Sequence, residues 1–209
     1  MIECRRFVST IAVVLFLTVA ASRADALGNP PSWKQENAKG HFPYHRLTAA
    51  DFPINDAVHT EYGMYTRGFF QFRYHENWTE RDGGAVARIN EWSVWSGFDR
   101  IKSSRKSWFT RVAETLPHEQ GHLDINELFS KRLADTPLDK LPIGEGRTGK
   151  EAEADLKRKM DALADRISAD EKVEQDRYDA ETDHGKNGAK QQEWTAAIQA
   201  RLKRAGIGL

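Results

Sequence analysis

The pattern of apolar and polar positions divides the chain into two halves of different secondary structure. Between residues 58 and 95, aromatic and β-branched residues alternate with polar ones, most regularly at 70–74 and 85–96. Glycines and an aspartate interrupt this alternation, notably at 82–84. The pattern predicts two or three antiparallel strands, with the last hairpin turning near 82–84.

After residue 108 the apolar residues recur at helical spacing. They form three stripes, at 116–133, 156–167 and 194–202. Prolines and glycines between 135 and 149 predict a connector, and residues 184–188 predict a break between helices. Strands followed by helices indicate an α+β fold, with a small antiparallel sheet in the N-terminal half and a helical C-terminal half.

The beginning of the chain follows a third pattern. Two arginines precede an uncharged apolar run at 7–21, and small residues follow it. This order predicts a secretory signal peptide over 1–24, cleaved after Ala24 or Ala26. An uncleaved membrane anchor is the alternative, although the run is short for a span of about 20 residues. We therefore expect a periplasmic or secreted protein that is not integral to a membrane after cleavage.

The composition of the chain indicates its domain organisation and excludes some kinds of site. The segment 25–46 has no periodicity and is expected to be loosely ordered, whereas 47–205 is expected to form a single domain. Basic and acidic residues number 31 each, so the charge gives no indication of a nucleic-acid partner. The only cysteine, Cys4, precedes the apolar run. A cleaved chain would therefore have no disulfide, no thiol nucleophile and no cysteine metal site.

The helical half contains a His-Glu-Gln-Gly-His run at 118–122. Residues four apart lie on one face of a helix, so His118 and His122 can hold one ion. Zinc lowers the pKa of a bound water to about 7, and Glu119 is placed to take the proton as that water attacks a carbonyl. The alternative is two exposed histidines on a charged helix.

Two residues of this segment are unusual for a helix. Pro117 is tolerated in the first helical turn and otherwise kinks the helix. Gly121 in mid-helix costs up to about 1 kcal/mol relative to alanine. Its presence predicts a close approach by another backbone or by a substrate.

A catalytic zinc usually has three protein ligands. His184, the only histidine after His122, stands at a helix break and is the expected third ligand. Asp179 is the alternative ligand, with Glu174 behind it. The four histidines before residue 80 are interpreted as surface or turn residues.

Two further polar residues have alternative roles. Tyr178 is predicted to donate a hydrogen bond to a developing oxyanion, and a packing role is the alternative. Asp124 lies two residues beyond His122 and could accept a hydrogen bond from a ligand imidazole. We interpret it as an exposed helical acid.

Four segments in order resemble a known family. They are Leu-Thr-x-x-Asp-Phe at 47–52, Ser-Trp at 107–108, His-Glu-Gln-Gly-His-Leu-Asp-Ile at 118–125, and Tyr-Asp-x-x-Thr-x-His-Gly at 178–185, the last followed by Gln-x-Trp at 192–194. Together they resemble the bacterial domain of unknown function 922, a set of predicted secreted zinc proteases. Leu123 and Pro117 depart from the family pattern. The resemblance implies zinc and peptidase chemistry but brings no known substrate.

We therefore expect a zinc-dependent metallopeptidase that acts on a peptide or protein substrate outside the cytoplasm. Its metallopeptidase-like domain would bind Zn²⁺ through His118, His122 and His184, with Glu119 as the base. Two alternatives remain. One is a zinc-binding envelope protein without turnover. Glu119 disfavours this alternative because a structural zinc needs no base. The other is an envelope-binding module whose aromatic strands hold glycan or peptide.

Overall fold

The computed structural model describes residues 8–9, 32–57, 62–81 and 83–208. Antiparallel strands predominate in the N-terminal half and long helices in the C-terminal half, which confirms the α+β class. The elements in chain order are β1 (Val8–Ser9), α1 (Trp33–Ala38), β2 (His41–Pro43), β3 (Met64–Tyr65), β4 (Gly68–Arg81), β5 (Gly84–Asp99), β6 (Ser104–Arg105), α2 (Val112–Ala134), β7 (Ile143–Gly146), α3 (Gly149–Thr182) and α4 (Gly188–Arg204). Short 3₁₀ turns occur at Ala49–Asp51 and Leu138–Lys140.

The main sheet is built on the predicted hairpin. β4 and β5 are neighbours joined by two residues, so they run antiparallel. β2 pairs with one end of β5, where Phe42 lies opposite Phe98. β7 pairs with the other end of β5, where Val86 lies opposite Glu145. β3 and β6 form a separate two-stranded sheet.

The described residues separate into two compact units, and unit 1 comprises 8–9, 72–81, 83–94 and 133–168. An apolar cluster forms its core: Ala85, Ala87, Ile89, Leu141, Ala152, Leu156 and Met160. The first part of α3 contributes three of these residues, of which Leu156 and Met160 belong to the predicted apolar stripe. Gly144 is required in β7 because a Cβ there would clash with the Ala152 carbonyl oxygen.

Unit 2 comprises 32–57, 62–71, 95–132 and 169–208. Its apolar cluster consists of Leu47, Phe52, Met64, Phe98 and Leu123. Two of these residues bracket the 3₁₀ turn at Ala49–Asp51. The Asp51 carboxylate accepts hydrogen bonds from the Thr48 backbone and hydroxyl groups, at 2.7 and 2.8 Å. This capping box explains the Leu-Thr-x-x-Asp-Phe segment as a turn with two apolar anchors.

Some sequence expectations require adjustment. Most of the predicted signal peptide, 1–24, lies outside the described residues. The segment 25–46, expected to be loosely ordered, contains α1 and β2. The predicted domain, 47–205, contains parts of both units. The connector after α2 contains strand β7, which the two prolines and three glycines obscured. Within the described part of the chain, no helix has both the length and the apolar content needed to cross a bilayer.

Candidate metal centre

Helix α2 presents the His-Glu-Gln-Gly-His run within unit 2. The helix begins at Val112, so Pro117 is its sixth residue and lies beyond the first turn. Pro117 has no N–H to donate to the carbonyl of Ala113, four residues earlier. Gly121 is explained by a close approach, as predicted, but the approaching group is a side chain. A Cβ at Gly121 would clash with the hydroxyl group of Tyr178.

Two histidines and one aspartate converge at the centre of the site. The Nε2 atoms of His118 and His122 are 3.1 Å apart. Oδ1 of Asp179 lies 3.0 Å from each of them. Among the described residues, these three form the group whose ligand atoms could hold a metal ion. The site therefore combines one turn of α2 with the last turns of α3.

His184 lies beside this group. Its Nδ1 is 3.4 Å from Oδ1 of Asp179, its ring packs against Tyr62 at 4.7 Å, and its side chain is 35% exposed. Asp179 thus contacts both histidines of α2, whereas His184 contacts Asp179. The residue that sequence analysis placed second as a ligand is the one that completes the converging group.

The loop after α3 has an unusual backbone. Asp183 and His184 have φ values of 49° and 51°, and Gly185 follows with a φ of 80°. Non-glycine residues rarely adopt this left-handed conformation, and such strain concentrates at functional sites. A Cβ at Gly185 would lie 2.9 Å from Cβ of His118. The glycine of the Thr-x-His-Gly segment therefore lets the loop pack against His118.

Glu119 follows His118 on α2 and is buried. It is 4% exposed, and its Oε2 is buried without a hydrogen-bond partner. Buried carboxylate oxygens are normally satisfied, so an unpaired one requires an explanation, such as a catalytic role or a bound water or ion. Oε2 of Glu76 and Oε1 of Glu153 are also buried and unpaired, but Glu119 is the one next to the converging histidines. Its negative charge acts on both His122 and Tyr178.

Two glutamines that the sequence analysis did not identify hold the outer nitrogens of the histidines. Oε1 of Gln191 lies 3.1 Å from Nδ1 of His118. Oε1 of Gln175 lies 2.5 Å from Nδ1 of His122. Gln175 precedes Asp179 by one helical turn on α3, so a polar stripe at four-residue spacing was visible there. Gln191 lies on α4, where nothing in the sequence connects it to the histidines.

Tyr178 is fully buried beneath the histidines. Its ring stacks on His118, with centroids 4.7 Å apart and planes 17° from parallel. Its hydroxyl donates to the His118 carbonyl at 3.0 Å and accepts from Gln191 at 2.8 Å. Burial raises the pKa of Tyr178 well above its ordinary value, so the hydroxyl keeps its proton. This arrangement matches the packing alternative that the sequence left open.

The charges of the site shift two pKa values in opposite directions. Burial would lower the pKa of His122, but hydrogen bonding to Asp179 and the charges of Glu119 and Asp179 raise it overall. Burial would raise the pKa of Asp179, but hydrogen bonds and charges from His118 and His122 hold it far below its ordinary value. The centre therefore favours an ionised carboxylate and attracts positive charge.

The interpretation of Asp124 as an exposed helical acid is wrong. Asp124 is 2% exposed and accepts hydrogen bonds from Tyr44 at 2.8 Å, Gln120 at 2.7 Å and Gln199 at 3.1 Å. Burial raises its pKa above the ordinary value. None of these partners is a ligand imidazole, so Asp124 supports α2 from the side. Sequence alone did not indicate this because all its partners except Gln120 are distant in the chain.

The remaining candidate residues are engaged elsewhere. Glu174 forms an ion pair with Arg201 of α4. His41 contacts Glu36 at 2.8 Å, and His45 contacts the carbonyl of Pro43 at 2.7 Å. These contacts are separate from the converging group.

The comparison with known proteins gives one match. A family model described as "Bacterial protein of unknown function (DUF922)" matches residues 70–185. The match covers more than half of the 209 residues, and the chain belongs to this family. Searches of curated proteins and of solved structures find no match to this chain.

Proposed function

We propose that this DUF922 protein is a zinc-dependent hydrolase that cleaves peptide bonds. The observation that carries the proposal is the combination of three converging ligand atoms with a buried, unpaired carboxylate oxygen. His118, His122 and Asp179 supply the ligand atoms, and Glu119 supplies the carboxylate. A purely structural metal would not need that fourth group.

The donor set suits zinc. Two imidazole nitrogens and one carboxylate oxygen are typical of catalytic zinc, which takes three protein ligands and leaves one position open. Tetrahedral bonds of about 2.0–2.2 Å require ligand atoms roughly 3.3–3.6 Å apart. The observed separations of 3.0 and 3.1 Å are slightly shorter, so a small outward movement of the side chains accommodates the ion. Zinc bound there would polarise a carbonyl group and make a water molecule more acidic.

The protein's own groups can then move the proton. Oε2 of Glu119 is available to receive a proton from an attacking water and to return it to the departing amine. Asp179, rather than His184, is assigned as the third ligand because its oxygen lies 3.0 Å from both imidazoles. His184 is more exposed and is assigned to contact with the substrate. Tyr178 is assigned a positioning role because its hydroxyl is already used.

We further propose that the protein acts outside the cytoplasm on a peptide or protein substrate. The support for export is the arginine-led apolar run at the start of the sequence, followed by small residues. The support for a peptide or protein substrate is the partial exposure of His184 and Tyr62, which contact one another next to Asp179. No observation favours nucleic acid, since the formal charge is balanced.

A zinc-binding protein without turnover is the second candidate, and one experiment separates the two. Metal content and cleavage of a broad peptide library are measured for the chain without residues 1–24 and for Glu119→Gln. Glu114→Gln is the matched control, since Glu114 lies exposed on the same helix and pairs with Arg111.

We expect about one zinc per chain in all three proteins. Cleavage should fall by about 10²–10⁴-fold in Glu119→Gln and remain unchanged in Glu114→Gln. Zinc in every protein without cleavage in any of them would favour the second candidate. Cleavage that persists in Glu119→Gln would exclude Glu119 as the base.

A further inference from the structure

We infer that Gln175 and Gln191 are positioning residues that fix the tautomers of the metal-binding histidines. Each glutamine holds a proton on Nδ1 of one histidine, which leaves Nε2 unprotonated towards the centre. The inference rests on the proposed metal centre and does not depend on the proposed hydrolysis. It follows from the direction of each hydrogen bond, beginning at backbone carbonyls, which can only accept.

The first chain of hydrogen bonds starts at the carbonyl oxygen of His118 and ends at the imidazole of the same residue. Its carbonyl oxygen is an acceptor, so the Tyr178 hydroxyl 3.0 Å away must donate to it. The Tyr178 oxygen then accepts from the Gln191 amide nitrogen at 2.8 Å. This fixes the orientation of the amide, and its oxygen faces Nδ1 of His118 at 3.1 Å. Because that oxygen can only accept, Nδ1 carries the proton.

The hydroxyl group of Thr182 also favours a proton on Nδ1 of His118. The Thr182 hydroxyl donates its proton to the Tyr178 carbonyl at 2.7 Å. Its oxygen therefore faces Nδ1 of His118, at 3.5 Å, as an acceptor. Both groups on this side of the imidazole present lone pairs. The Nε2–H tautomer of His118 would leave lone pairs facing one another on Nδ1.

The second chain of hydrogen bonds ends at His122. The Gln175 amide nitrogen donates to the His122 carbonyl oxygen at 2.9 Å. The amide oxygen of Gln175 must then face Nδ1 of the same residue, at 2.5 Å. Gln175 thus forms hydrogen bonds with both the backbone and the imidazole ring of His122. It fixes both the proton position and the ring orientation.

The consequence is a site preorganised for a cation. With both Nδ1 atoms protonated, the two neutral imidazoles direct lone pairs at one another across 3.1 Å and at Oδ1 of Asp179 across 3.0 Å. Three converging acceptors repel one another unless a positive charge lies between them. The amides are neutral, so they orient the imidazoles without adding the negative charge that a carboxylate partner would bring.

The tautomers can be measured directly in the metal-free protein. Imidazole ¹⁵N shifts of His118 and His122 are recorded at the alkaline plateau, where they no longer change with pH. We expect both residues to show protonated Nδ1 and unprotonated Nε2. An Nε2–H tautomer at either residue in the wild-type protein would overturn the inference for its glutamine, whatever the variants do.

Metal affinity provides the second measurement. Gln175→Met and Gln191→Met keep the side-chain volume but remove the acceptor, and each should weaken Zn²⁺ binding by about 10–100-fold in chelator competition. Gln175→Glu and Gln191→Glu restore an acceptor and should restore the affinity. Gln199→Met is the matched control, because Gln199 also lies on α4 but bonds Asp124. We expect it to leave the affinity unchanged.

Two further results would contradict the inference. One is unchanged affinity and tautomer in both methionine variants. The other is an equal loss of affinity in Gln199→Met, which would indicate general weakening of the fold. Neither measurement uses peptide cleavage. A protein that never cleaves a peptide but shows both effects would keep this inference and lose the proposed hydrolase activity.

Discussion

The two compact units differ in how many polar side chains they bury. Among the described residues, unit 1 buries Glu76, whereas unit 2 buries many polar side chains. The cluster of unit 1 is made of apolar residues on β5, α3 and the connector, and its stability comes from area removed from water. Unit 2 also buries a polar set: His118, Glu119, Asp124, Asn126, Ser130 and Thr182. Buried polar groups are costly unless each has a partner. Within this set of six residues, Oε2 of Glu119 is the buried side-chain atom without a hydrogen-bond partner.

Helix α3 makes the same contrast within one element. Its first part, in unit 1, buries Leu156 and Met160. Its last turns, in unit 2, bury Tyr178 and Thr182, and place Asp179 at the metal centre. Anchoring by apolar residues and chemistry by polar ones thus occur at different positions along a single helix. Substitutions in the two parts should have separable effects.

The largest expected effect separates the two candidate third ligands. Asp179→Ala, like His122→Ala, should abolish stoichiometric zinc, because two remaining ligands bind far more weakly than three. His184→Ala should retain about one zinc per chain, measured by metal analysis after dialysis. If His184→Ala loses its zinc while Asp179→Ala keeps it, the ligand assignment must be reversed.

A substitution in the apolar cluster of unit 1 should lower the stability of the protein and leave its zinc affinity unchanged. Leu156→Ala should lower the free energy of unfolding by about 2–5 kcal/mol, because it leaves a cavity in the apolar cluster. Zinc affinity at a temperature where the protein remains folded should not change. Denaturant unfolding and chelator competition measure the two quantities. Coupled losses would show that the two regions are not separable.

Gly121→Ala tests the packing beneath the histidines. The added methyl group meets the hydroxyl of Tyr178, so we expect a loss of about 1–3 kcal/mol in stability together with weaker zinc binding. Gly188→Ala is the matched control, since a Cβ there meets nothing within 4 Å. Equal behaviour of the two variants in thermal unfolding would argue against the close approach of Tyr178.

The smallest effect concerns pH. In the metal-free protein, His122 has a pKa raised above 6.5, so its stabilising contribution is present below 6.5 and is lost as pH rises through the raised value. The pKa of Asp179 is lowered, so its contribution is present above 3.8 and is lost as pH falls further. Zinc competes with the proton on His122.

Zinc should therefore raise the melting temperature more at pH 8 than at pH 5.5. The measurement is thermal unfolding with and without equimolar zinc at both values. His122→Ala should lose this difference. A zinc effect that is greater at pH 5.5 would mean that His122 is not a ligand.

The secondary structure of much of the chain could be predicted from sequence because it depends on local patterns of apolar and polar residues. The alternation at 70–74 and 85–96 predicted the hairpin of β4 and β5, and helical spacing predicted α2, α3 and α4. The four-residue spacing of His118 and His122 was enough to place both imidazoles on one face. These features depend on contacts within one element or between adjacent elements, where the period of the pattern determines which side is buried.

The tertiary structure decided what depends on distant contacts. Asp179 reaches His118 across 61 positions, Gln175 reaches His122 across 53, and Gln191 reaches His118 across 73. Spacing along the chain carries no information about which of several polar residues turns towards such a partner. His184 lies in the loop after α3 and has a positive φ, so helical periodicity does not describe the direction of its side chain. Sequence thus determined the histidine pair and the adjacent Glu119, whereas packing of α3 and α4 against α2 brought Asp179, Gln175 and Gln191 to the imidazoles.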